Sequence, residues 1–119
     1  MKNKLLNSTA DREMLQSVLD ELRAGIKSIY KEKAPSIRIY GSYARGDANP
    51  GSDIDVLLIY PEKVRQVEEI RRLGALLTEI NLRYQVLISL LPTDEKEYRR
   101  SSIGFWRNVR KESKPIEAI

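Results

Sequence analysis

The chain has 119 residues, a formal net charge of +4, 41% hydrophobic and 32% charged residues, and neither cysteine nor histidine. Those numbers suit one globular domain, and they exclude disulfides, thiolate zinc sites, a cysteine nucleophile and a histidine general base. Any metal must then be held through oxygen, which points to magnesium or manganese.

Leu15, Val18, Leu19, Leu22, Ile26 and Ile29 recur at three- and four-residue spacing, so the pattern predicts an amphipathic helix over about residues 10 to 33. Ser8 or Thr9 is the expected cap, and Pro35 closes the connection. Ile37-Arg38-Ile39-Tyr40 reads as a first strand, followed at once by Gly41-Ser42-Tyr43-Ala44-Arg45-Gly46-Asp47, a tight turn opening a short helix. After the loop Ala48-Asn49-Pro50-Gly51-Ser52 comes Asp53-Ile54-Asp55, the start of a second strand that runs to Ile59. Beyond Tyr60-Pro61, Val64, Val67, Ile70, Leu73, Leu77 and Ile80 outline one further helix, with Glu68, Glu69, Arg71 and Arg72 on its polar side and Gly74 marking close packing or a weak point. Tyr84 to Leu91 reads as a third strand stopped by Pro92, and Thr93 as the cap of a helix with Asp94 and Glu95 in its first turn.

Arg99, Arg100, Arg107, Arg110, Lys111 and Lys114 cluster around Phe105 and Trp106. This segment is either a plain charged helix face or a place for a phosphate tail, RNA or an acidic partner, and nucleic acid is the weaker of the partners considered. Residues 113 to 119 read as a frayed tail or a partner-docking strand. Phe105, Trp106, Ile116 and Ile119 belong by default to the core. The sequence has no long apolar run and no secretory leader, so a cytoplasmic protein without membrane contact is expected.

The chemistry concentrates between residues 41 and 55. Glycine and serine at a turn offer backbone N–H groups and a small hydroxyl at phosphate range. Residues two apart on a strand lie about 6.5 Å apart on one face, so Asp53 and Asp55 converge on one site while Ile54, Val56 and Leu58 pack on helices. Two carboxylates about 4 Å apart repel by roughly 4 kcal/mol at an effective dielectric near 20, which makes a cation their natural companion.

Together, Gly41-Ser42-Tyr43-Ala44-Arg45-Gly46-Asp47-Ala48 and Gly51-Ser52-Asp53-Ile54-Asp55-Val56-Leu57-Leu58 resemble the signature of the DNA polymerase β-like nucleotidyltransferase superfamily. Within it, the chain is similar to the minimal nucleotidyltransferase (MNT) group. The resemblance implies an α/β (α+β) fold, a small mixed sheet of about three strands flanked by helices, in one domain over 1–119 with its core at about 10–103 and a basic segment at 104–119. It further implies transfer of a nucleoside monophosphate from a nucleoside triphosphate, ATP first, to a hydroxyl. Gly41 and Ser42 would take the β- and γ-phosphates, and Asp53 and Asp55 would be the catalytic metal ligands for Mg²⁺ or Mn²⁺. Arg45 either touches the nucleotide or pairs with a carboxylate to fix the turn, whereas Asp47 braces the loop and Tyr43 packs. MNT proteins pair with HEPN proteins as antitoxin and toxin, so a HEPN partner supplied in trans is expected, with an oligomer left open.

The family's third metal carboxylate sits on the third strand, yet no Asp or Glu occurs between Glu79 and Asp94. Gln85 and Ser89 are the polar candidates there, and Asp94 or Glu95 could reach back only from a shorter strand. The alternative reading is therefore a catalytically weakened nucleotide- or partner-binding module.

Overall fold

The computed structural model describes residues 9–49 and 51–118. A long helix, α1 (Thr9–Tyr30), runs into a single 3-10 turn (Lys31–Lys33) and then into β1 (Ser36–Tyr40). Next come α2 (Gly41–Arg45), β2 (Ile54–Tyr60), α3 (Gln66–Arg72), α4 (Gly74–Tyr84) and β3 (Ile88–Asp94). The chain finishes with α5 (Glu95–Arg100), α6 (Gly104–Glu112), β4 (Lys114–Pro115) and a closing 3-10 turn (Ile116–Ala118). The sheet order is β3-β2-β1-β4, with β1 antiparallel to both β2 and β4 and with β2 parallel to β3. A parallel neighbour needs a crossover, which α3 and α4 supply.

β2 is the central element, buried on both faces, and its apolar run reflects that. On one side Ile54, Val56, Leu58 and Tyr60 join Leu15, Val18, Leu19, Leu22 and Ile26 of α1, together with Leu73 and Ile80. On the other, Leu57 and Ile59 meet Trp106 and Val109 of α6, with Tyr40, Leu91 and Tyr98 at the margin. Each such burial contributes about 1.5–3 kcal/mol, so α6 is held to the sheet chiefly by Trp106 and Val109. Hydrogen bonds then fix its end: Arg38 donates from Nε to Ser113 Oγ (2.9 Å) and from Nη2 to the Ser113 carbonyl (2.9 Å).

Several expectations change. The sheet has a fourth strand, because Lys114 and Pro115 pair with Ile39 and Arg38 of the chain's own β1 and Ile116 is buried; this segment is neither frayed nor a free docking strand. Trp106 is core, Phe105 stands 47% exposed, and Ile119 lies outside the described residues, as does Ser8. The single helix expected after Pro61 is two, broken at Leu73; a Cβ at Gly74 would meet nothing within 4 Å, so close packing is not its reason. Glu69 is not on a polar face but buried, where it accepts a hydrogen bond from the Tyr30 hydroxyl at 2.6 Å.

The third strand is displaced towards the C-terminus. Tyr84 ends α4, Gln85 takes a left-handed conformation (φ 53°) that caps it, and pairing begins only at Ile88. Pro92 lies inside the strand, paired with Leu58, which is possible because β3 is an edge and its outward side needs no N–H donor. Asp94, not Thr93, caps α5, with its Oδ1 accepting the Glu97 amide at 2.9 Å.

Candidate functional site

Tyr40 ends β1 opposite Asp55 of β2, so the antiparallel register delivers the turn that follows Tyr40 beside the start of β2. Gly41 has φ +73°, a region where side chains are strained, and an added Cβ would overlap the Asp55 carboxylate. Glycine is therefore required twice over: for the turn, and for contact between its backbone and that carboxylate. Ser42, half-buried, closes the turn through its carbonyl, which accepts from Gly46 and Asp47 N–H at 3.0 and 3.1 Å. The loop to β2 is tied internally, by Asn49 N–H to Ser52 Oγ (3.1 Å) and Gly51 N–H to Asn49 Oδ1 (2.9 Å). It ends at exposed Asp53, one residue before β2.

Asp55 is half-buried, and no hydrogen bond from a described residue reaches its carboxylate or that of Asp53. Burial first, then the charge of Asp53, and further that of Glu112, hold Asp55 above its ordinary carboxylate range; Arg45 opposes them. A half-buried carboxylate with like charges around it and no donor fits a site that awaits a cation. Asp53 and Asp55 also suit the hard-oxygen chemistry that the absence of histidine and cysteine imposes. Among the described residues, no group of three or more acidic side chains is placed to hold one ion.

Arg45 pairs with carboxylates in the free protein. Its Nε reaches Asp47 Oδ2 at 3.3 Å and its Nη1 reaches Glu112 Oε2 at 3.0 Å, which also explains Asp47 as a brace. Tyr43 packs against the α1 side of the core, as expected. Gln85 is off the strand, and Asp94 pairs with Tyr60 at the opposite end of β2, too far along it to serve Asp55. The register sets Ser89 beside Asp55, and the Ile54 amide bonds the carbonyl of Leu87 at 2.8 Å. The place beside Asp53 is thus filled by Leu87, 55% exposed, and not by an acid.

Residues 19–115 match the model of the family described as nucleotidyltransferase domain. The chain belongs to that family. A relative from Methanocaldococcus jannaschii, named as a candidate protein adenylyltransferase, is 33% identical over 72 residues, 60% of this chain and 72% of the relative. Among solved structures, a chain of a toxin–antitoxin crystal with AMP-PNP superposes with a TM-score of 0.55 at 16% identity, covering 82% of this chain and 70% of that one. A complex of tri-AMPylated Shewanella oneidensis HEPN toxin with MNT antitoxin gives 0.50 at 17% identity, covering 88% and 70%. At these identities the two structures show a common fold.

This nucleotidyltransferase has one site residue that the sequence did not disclose. Glu112, at the end of α6, accepts the Gly41 amide on Oε1 at 3.3 Å as well as Arg45 on Oε2. Helical spacing puts it three residues beyond buried Val109, hence towards the sheet, but nothing in the sequence says which loop it meets. The basic cluster of the C-terminal segment is partly consumed by structure. Arg110 donates to the carbonyls of Tyr98 (2.7 Å) and Ser101 (2.9 Å), and Arg99 pairs with Glu95 at 2.7 Å. No helix among the described residues is long and apolar enough to cross a membrane.

Proposed function

We propose that this nucleotidyltransferase transfers AMP from ATP, with Mg²⁺ or Mn²⁺, to a hydroxyl of a HEPN-type protein partner. The observation that carries the reading is the contact of the Gly41 backbone with the Asp55 carboxylate, which makes the phosphate turn and the carboxylate pair one site. The protein-adenylyltransferase name of the relative and the AMPylated toxin in the neighbouring complex support the acceptor class.

In this reading the Gly41 amide and the Ser42 hydroxyl hold the β- and γ-phosphates, which sets the α-phosphorus near Asp53 and Asp55. The acceptor oxygen bonds to that phosphorus, the bond to the β-phosphate oxygen breaks, pyrophosphate leaves and the hydroxyl proton is released. A divalent cation held by Asp53 and Asp55 supplies charge neutralisation for the phosphates. The positions of Gly41 and Ser42 then determine in-line alignment, and the tied loop from Asn49 to Ser52 keeps Asp53 at its post.

Leu87 beside Asp53 favours a second reading, a module that binds nucleotide and partner with slow transfer. Incubation of the purified protein and its co-purifying partner with α-labelled ATP separates the two. The transferase reading expects magnesium-dependent label on the partner, lost in Asp53→Asn. Tight partner and ATP binding without label would leave the binding module.

A further inference from the structure

Besides Asp47 and Asp55, the turn meets a third acidic group, Glu112, which comes from the far end of the chain. Its backbone is delivered by the neighbouring residue: Ser113 is held by two hydrogen bonds from Arg38 and contacts the Tyr98 hydroxyl at 3.1 Å. From that anchored point the side chain spans to α2 and engages two donors, the Gly41 amide and the Arg45 guanidinium. Both are donors that an incoming polyphosphate would also take, since backbone amides and arginine forks are its usual partners. At 3.3 Å the Gly41 bond is at the long end of the N–H···O range, so it is the weaker of the two and the easier to exchange.

We propose that Glu112 is a positioning residue of the nucleotide site, which holds Gly41 and Arg45 in the free protein and cedes them to the triphosphate, so that its carboxylate competes with the nucleotide for the turn. The inference rests on the nucleotide-binding reading above. A carboxylate and a phosphate cannot share one amide and one guanidinium without facing each other as like charges, so occupancy by one excludes the other. The end of α6 itself stays in place, because Trp106 and Val109 keep the helix on Leu57 and Ile59 and Ser113 stays tied to Arg38, so only the Glu112 side chain gives way. By linkage, removing the competing carboxylate must tighten nucleotide binding by the factor with which it competes.

The test uses the full chain, ATP with Mg²⁺ and calorimetric titration of wild type, Glu112→Gln and Glu112→Ala. Glu112→Gln is expected to bind ATP about five- to tenfold more tightly than wild type. Glu112→Ala is expected to bind more tightly than wild type as well, since neither variant carries the competing charge. A residue with a merely structural role would on replacement weaken binding or leave it unchanged. If wild type binds ATP and a folded variant binds it no more tightly, the inference is overturned while the nucleotide reading stands. If none of the three binds ATP, the nucleotide reading itself falls and takes this inference with it. Should Glu112→Gln fail to fold, Glu112→Ala decides the matter.

Discussion

Glu69, beside the C-terminal end of β2, and Asp55, near its start, are both drawn out of water by the fold, and only Glu69 is given donors. Glu69 is 6% exposed, yet it receives the Tyr30 hydroxyl at 2.6 Å, which in turn receives the Tyr60 hydroxyl at 3.0 Å, with Arg72 at 3.9 Å. Asp55 is less buried, has the charges of Asp53 and Glu112 around it, and no protein donor among the described residues. A buried charge left unpaired costs stability, so a fold that can satisfy one carboxylate completely and leaves another bare keeps the second for a ligand. The difference lies in sequence placement. Tyr30 and Tyr60 bring hydroxyls to Glu69, whereas Asp55 has the Gly41 backbone, Tyr40 and Ser89 beside it and none of them donates to it.

The sharpest way to break this contrast is to neutralise each carboxylate in turn and measure label transfer. Asp55→Asn is expected to lower the rate about 10²- to 10³-fold, the loss typical of removing one charge-stabilising group, whereas Glu69→Gln should leave the rate of the folded protein within about threefold. Equal losses would mean that the two ends of β2 do not differ in kind. The next largest effect is on stability. Tyr30→Phe removes the main donor to a buried carboxylate and is expected to cost about 1–3 kcal/mol in denaturant unfolding. Burial, reinforced by the bond to Glu69, pushes the Tyr30 phenol up from 10.0 to about 12. The native state therefore keeps a proton that the unfolded chain loses, so wild-type stability falls as pH rises from about 10 to about 12, and Tyr30→Phe should show a shallower slope, because Tyr40, Tyr43, Tyr60 and Tyr84 are raised as well.

How far the sequence revealed the two ends differs for physical reasons. The turn at Gly41 and the pair Asp53 and Asp55 were legible because the chemistry is local, a strand, a turn and a strand between Ser36 and Tyr60. α1 and β2 were legible from apolar period. The break between α3 and α4 was not, because Leu73 keeps the spacing of Ile70, Leu77 and Ile80 in phase across it. β3 was placed too early because Tyr84 to Leu87 is as apolar as a strand, and only the left-handed Gln85 separates helix from sheet. Glu69 and Glu112 were out of reach altogether: their partners Tyr30 and Gly41 lie 39 and 71 residues away, and a charged residue on a helix gives no sign of what it will meet.

Metal and pH sharpen the contrast further. Divalent cation that binds only the native state stabilises by mass action, about 1.4 kcal/mol at a tenfold excess over Kd, so Mg²⁺ should raise the Tm of wild type and of Glu69→Gln but not that of Asp55→Asn. Chelator should reverse the rise.

Without metal, Asp55→Asn is expected to be more stable than wild type at neutral pH, by a few degrees in Tm or about 1 kcal/mol. The sign follows from protons. Asp55 is held above its ordinary range by burial first and by Asp53 second, so the native state binds its proton more tightly than the unfolded chain does. Ionising it at neutral pH thus costs native stability. That cost is absent below the ordinary carboxylate range and grows as pH rises through the raised value. The advantage of the asparagine should accordingly shrink on acidification and disappear where both states are protonated. Thermal melts across that range, in chelator, check it: a variant less stable than wild type at neutral pH would show that Asp55 is satisfied by the fold after all, as Glu69 is.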